Sequence, residues 1–102
     1  MKALERTTID EARAVRIFRA LANPARYRIV EFLADRSECI VGDLVDQLPL
    51  AQSSVSEHLK VLKEAGIVRG TIDGPNRCYC LDPEALAFLR DTITRLSERA
   101  CC

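Results

Sequence analysis

Apolar residues recur at three- and four-residue spacing over most of the chain, the period of amphipathic helices. Ala14, Ile17, Phe18 and Leu21 predict a helix over roughly residues 10–22. Asn23-Pro24 then stops one helix and starts another, because asparagine caps and proline suits the first helical position. The second helix is predicted over about residues 24–35, with Tyr27, Val30 and Ala34 on one stripe and Ile29 and Leu33 on the next. So wide an apolar face predicts burial on more than one side. Cys39-Ile40-Val41 is a short apolar step, and Leu44, Val45 and Leu48 predict a short helix ending before Pro49. Val55, Leu59 and Leu62 begin a further helix, closed by Gly66 just past its end.

There the period changes. Ile67 to Ile72 and Arg77 to Leu81 read as two short strands around the turn Asp73-Gly74-Pro75-Asn76. Asp82-Pro83 repeats the cap-and-proline device and opens a last helix, where Leu86, Leu89, Ile93 and Leu96 form a narrow seam suited to a partner helix. The predicted order is helix, helix, short helix, helix, hairpin, helix. That is a mainly α winged helix-turn-helix with a small β-hairpin wing, in one domain spanning residues 1–102.

Composition at first runs against the function this fold suggests. Fifteen basic and fifteen acidic residues give a formal net charge of zero, where nucleic-acid binders usually carry a basic excess. The total hides segregation: residues 1–30 hold seven basic and three acidic side chains, residues 31–50 one basic and five acidic. A cationic N-terminal third can offer phosphate a local positive surface, and solvated helix faces of mixed sign are the competing reading. The 48% hydrophobic content excludes a disordered or collagen-like chain. No apolar run reaches spanning length and no signal-peptide core is present, so the expected location is cytoplasmic, with no membrane partner. No nucleophile–base pair or phosphate loop appears, so no enzymatic activity is expected.

In a helix-turn-helix the second helix enters the major groove. Here it runs from about Ala51 through Gln52, Ser53, Ser54, Val55, Ser56, Glu57, His58, Leu59 and Lys60. Removing the apolar positions leaves short or planar donors and acceptors. Gln52 suits adenine, Ser53, Ser54 and Ser56 suit base edges or phosphate, and Lys60 suits phosphate. His58 is the lone histidine, better matched to a DNA or structural hydrogen bond than to a metal. Arg77 at the hairpin tip is a wing contact to minor groove or phosphate, or a solvated arginine closing a turn.

Ser56-Glu57-His58-Leu59-Lys60-Val61-Leu62-Lys63-Glu64-Ala65-Gly66-Ile67-Val68 strongly resembles the ArsR/SmtB family of bacterial winged-helix repressors. Leu21-Ala22-Asn23-Pro24-Ala25-Arg26 and Val41-Gly42-Asp43-Leu44 do so too, and the likeness covers roughly residues 10–97. It implies a homodimer built on the first and last helices, bound to double-stranded DNA at a pseudo-palindromic operator and released by an inducer. Two positions depart from the family pattern. Ala51 stands where serine is frequent, and Glu57 where a basic residue is common.

The resemblance also directs attention to five cysteines, an odd number in a reducing compartment. The family's arsenic-binding run resembles Glu-Leu-Cys-Val-Cys-Asp-Leu, but Ile40 and Gly42 occupy both ligand positions and Cys39 is displaced by one. Its zinc-type site on the last helix needs histidines, and that helix offers only Asp91 and Glu98. What remains is Cys101-Cys102, vicinal soft thiols that suit a trivalent arsenical, arsenite or methylarsenite, or antimonite. A cysteine pair near this helix end resembles one branch of arsenic repressors, and a frayed inert terminus is the bland alternative. No resident cofactor is expected. Cys78 and Cys80 alternate with Tyr79 and should share one face, with Cys39 on a step expected to pair with that strand. These three read either as small packing residues or as a redox or persulfide couple.

Overall fold

The computed structural model describes residues 2–35, 40–41, 51–71 and 78–102. Four helices and three strands appear among them: α1 (Lys2–Leu21), α2 (Pro24–Ala34), β1 (Ile40–Val41), α3 (Gln52–Glu64), β2 (Val68–Thr71), β3 (Cys78–Leu81) and α4 (Pro83–Arg99). The predicted short helix at 44–48, the hairpin turn and Cys39 lie outside the described residues. The mainly helical winged helix-turn-helix is the architecture observed. Helix α1 runs from Lys2, so the predicted stretch is the second half of a longer helix.

Local chemistry sets the boundaries. The Asn23 side chain accepts from the amides of Ala25 and Arg26 at 2.9 and 3.1 Å, and Pro24 takes the first helical position. The Asp82 carboxylate accepts from the Glu84 amide at 2.9 Å and is followed by Pro83. Helix α3 ends in a paired-carbonyl closure. The Gly66 amide donates to Lys63 O at 2.9 Å and the Ile67 amide to Leu62 O at 3.0 Å, with Gly66 at φ +84. Leu62 and Ile67, which flank this closure, are both fully buried in the core.

The sheet order is β1-β3-β2, all antiparallel, with Ile40 opposite Tyr79 and Val68 opposite Leu81. Thus the Ile40-Val41 step pairs with the second hairpin strand as expected. Side chains alternate across the strand, and Tyr79 and Val68 are buried on the inner face. The core joins Ile17 and Ala20 of α1, Ile29 and Leu33 of α2, Val55, Leu59 and Leu62 of α3, and Tyr79 of β3. On the stripes predicted for α1 and α2, Phe18, Tyr27 and Ala34 are exposed and lie outside it. Cys78 and Cys80 are half-buried, so Tyr79 between them takes the core place and the thiols share the outer face with Arg69 and Thr71. The packing reading of these cysteines is therefore only half met.

Helix α4 is tied to α1 at its start. Arg13 Nη1 donates to Glu84 Oε1 at 3.1 Å, Nη2 pairs with Oε2, and the guanidinium lies 4.2 Å from the Phe88 ring centroid. The bond to Glu84 holds the Arg13 pKa above the ordinary arginine value. Farther along, Ile93 and Leu96 are 48% and 59% exposed. The end of the leucine seam is uncovered in the single chain.

Candidate nucleic-acid interface

Helix α3 presents a buried stripe of Val55, Leu59 and Leu62 toward the core and a polar face away from it. Ser54, Glu57 and Lys60 are exposed, and Ser56 and His58 are half-buried. The side chains of Gln52 and Ser53 and the whole of Arg77 lie outside the described residues. Structure therefore brings Ser54, Ser56, His58 and Lys60 together on one helix. Ala51 occupies the N-cap without a side-chain hydrogen bond, as its lack of a polar group dictates.

Two ion and hydrogen-bond arrangements refine this face. Glu57 Oε1 lies 3.9 Å from Lys60 Nζ, an exposed pair one helical turn apart. Such pairs hold by no more than about 0.5 kcal/mol, so Lys60 can exchange the carboxylate for a phosphate at little cost. Lys63 Nζ donates to Gly70 O at 2.6 Å, joining the end of α3 to strand β2 of the wing.

Arg26 is the residue that periodicity did not single out for a role. Its Nε donates to Ala20 O at 2.6 Å and its Nη2 to Arg19 O at 3.4 Å, covering carbonyls at the end of α1. Its Nη1 lies 3.5 Å from His58 Nδ1 on α3. One guanidinium thus links the start of α2 to both neighbouring helices. The only sequence signal was its place in the Asn23-Pro24-Ala25-Arg26 run; the carbonyls it reaches lie six and seven positions back.

Beyond the C-cap Ala100, Cys101 and Cys102 are exposed, with their Sγ atoms 3.9 Å apart. A centre bonded to two sulfurs at about 2.3 Å each spans at most about 4.6 Å, so one atom can bridge this pair. Among the described residues no cluster of three or more His, Cys, Asp or Glu groups forms a metal site. No helix among them is long and apolar enough to cross a membrane.

Residues 23–69 match the family described as bacterial regulatory protein, arsR family, a span running from the α2 cap into strand β2. The HTH-type transcriptional regulator Rv2034 of Mycobacterium tuberculosis is 45% identical over 83% of this chain and 78% of its own length. The HTH-type transcriptional repressor SmtB of the same species is 41% identical over 82% of this chain, which spans 62% of that protein. An ArsR-like transcriptional regulator from Rhodococcus sp. RHA1 superposes with a TM-score of 0.72 at 22% identity, over 86% of this chain and 82% of that one, a likeness of fold. With the polar face of α3 backed by this core and followed by the wing, the chain belongs to the ArsR family of DNA-binding helix-turn-helix transcriptional regulators.

Proposed function

We propose that this regulator is a homodimeric repressor that leaves a pseudo-palindromic operator when a trivalent arsenical binds Cys101 and Cys102. The observation that carries the reading is the pair of exposed thiols 3.9 Å apart at the end of α4. Two thiolates satisfy a methylarsenite centre, whereas arsenite takes a third. In the dimer, the Ile93 and Leu96 end of α4 packs on the partner, and α1 completes that interface. Gln52, Ser53, Ser54, Ser56, His58 and Lys60 face the major groove, and Arg77 the wing contact.

Release requires the inducer to bind the DNA-incompetent dimer better than the competent one, by roughly 1–3 kcal/mol of coupling. Contacts that can carry such coupling run from α4 through Glu84 and Arg13 to α1, then from Ala20 O through Arg26 to His58 on α3. The test is a release titration of promoter DNA with arsenite, methylarsenite, antimonite, zinc and peroxide in parallel. Arsenical release that is lost in Cys101→Ser and Cys102→Ser supports the reading, and release unaffected by both substitutions rejects it.

A second reading is favoured by the half-buried thiols of Cys78 and Cys80 on one face of β3. There the chain senses oxidant or persulfide through these residues and Cys39. Peroxide or persulfide that shifts DNA affinity while arsenicals do not would select it.

A further inference from the structure

A groove of about 680 Å³ lies between α1 and the second half of α3. That volume is in the range of sites for small organic ligands. Its wall on α1 comes from Ala12, Val15 and Arg19, which recur at helical spacing, and its wall on α3 from Val61. Val15 and Val61 are 40% and 36% exposed, so an apolar surface is left to water here.

The groove is also charged in a specific way. Arg16 and Arg19 line it, and neither side chain forms an ion pair or hydrogen bond among the described residues. Arg26, which lines it as well, directs its donors to Ala20 O, Arg19 O and His58. Two uncommitted guanidinium groups beside an apolar wall match a carboxylate attached to a hydrocarbon body, because the planar fork accepts a carboxylate bidentately. Glu11 and Glu64 stand in the same lining and repel a second negative group. A DNA phosphate is a poor occupant, since it would leave Val15 and Val61 uncovered.

We propose that this groove binds an amphipathic organic monocarboxylate. The carboxylate sits on Arg16 and Arg19 and the hydrocarbon lies over Val15 and Val61. Because Val61 and Glu64 belong to α3 and Arg26 holds His58, the ligand touches the DNA-reading helix directly. The site is separate from the Cys101-Cys102 pair at the far end of α4.

The experiment uses the full chain without DNA. Binding of 1-anilinonaphthalene-8-sulfonate is followed by fluorescence, and the dye is displaced with octanoate, octan-1-ol or octanedioate. The expected result is saturation at one site per chain, with octanoate effective at a concentration at least tenfold below the alcohol and the dicarboxylate. The double variant Arg16→Gln/Arg19→Gln should weaken octanoate about tenfold while leaving octan-1-ol unchanged. Val61→Asp should abolish displacement with the circular dichroism spectrum retained, since the residue is exposed. Cys101→Ser/Cys102→Ser should leave it unaltered. The proposal is overturned by non-saturating dye binding, by equal potency of the alcohol, or by insensitivity to the arginine substitutions. It is also overturned if binding disappears as the protein is concentrated into a dimer, which would assign the groove to a second copy of the chain.

Discussion

Arg26 and His58 meet between α2 and α3, with Nη1 of one 3.5 Å from Nδ1 of the other. A guanidinium only donates, so a hydrogen bond across this contact is one that Nδ1 accepts. The histidine that reads as a DNA contact is thus also oriented from behind, by a residue anchored on the end of α1.

Arg26→Ala removes three donors from partners that remain. Bonds from a charged donor contribute about 1.5–3 kcal/mol, so a fall in unfolding free energy of that order is expected from denaturant titration. Arg26→Lys should recover part of the stability through one carbonyl bond but not the orientation of His58. Its DNA affinity should therefore remain closer to that of Arg26→Ala than its stability does.

Two glycines with positive φ predict unequal costs. Gly66, at φ +84, closes α3 with open space around its missing Cβ, and Gly66→Ala should cost about 1–2 kcal/mol for the left-handed backbone alone. At Gly70, φ +110, a Cβ would overlap the Cys78 carbonyl oxygen and approach Tyr79 Cα at 3.0 Å. Gly70→Ala should cost about 3 kcal/mol or more, because strain and overlap with the neighbouring strand add. Comparison of the two denaturation midpoints checks the order.

Helix caps predict changes of opposite sign. Asn23→Ala leaves the amides of Ala25 and Arg26 without their acceptor and should destabilise by about 1 kcal/mol. Ala51→Ser supplies a cap that α3 lacks and should stabilise by roughly 0.5–1 kcal/mol. Thermal melting of both variants at one protein concentration measures the pair.

The uncovered end of α4 predicts the consequence of placing charge in a dimer seam. Ile93→Asp and Leu96→Asp lie far enough into solvent to leave the monomer fold intact. Each should raise the dimer dissociation constant on the order of a hundredfold, the equivalent of about 2.7 kcal/mol. Sedimentation velocity reads this directly, and an unchanged sedimentation coefficient would remove α4 from the interface.

Much of this was legible because local chemistry settles it. Asn23-Pro24, Asp82-Pro83 and Gly66 act within a few residues of themselves, so the starts of α2 and α4 and the end of α3 follow from sequence alone. Apolar spacing likewise identified Ile17, Ile29, Leu33, Val55, Leu59 and Leu62 as core. It overreached at Phe18, Tyr27 and Ala34, because a periodic stripe records hydrophobicity and not how far the neighbouring helix extends. The same limit applied to Cys78 and Cys80. Alternation placed them on one face, but only the pairing of β3 with β1 and β2 decided that Tyr79 owns the inner side.

Helix α3 and its polar face were sequence properties, set by a period of 3.6 and a terminating glycine. Long-range partners were not. Arg26 reaching His58, Arg13 reaching Glu84, and the arginine-lined groove join elements distant in the chain, while Arg26 to Ala20 O and Lys63 to Gly70 O join successive elements through their packing angle. A sequence specifies which donors and acceptors exist. Only packing of the helices selects which of them come within bonding distance, and that selection decided how α3 is held.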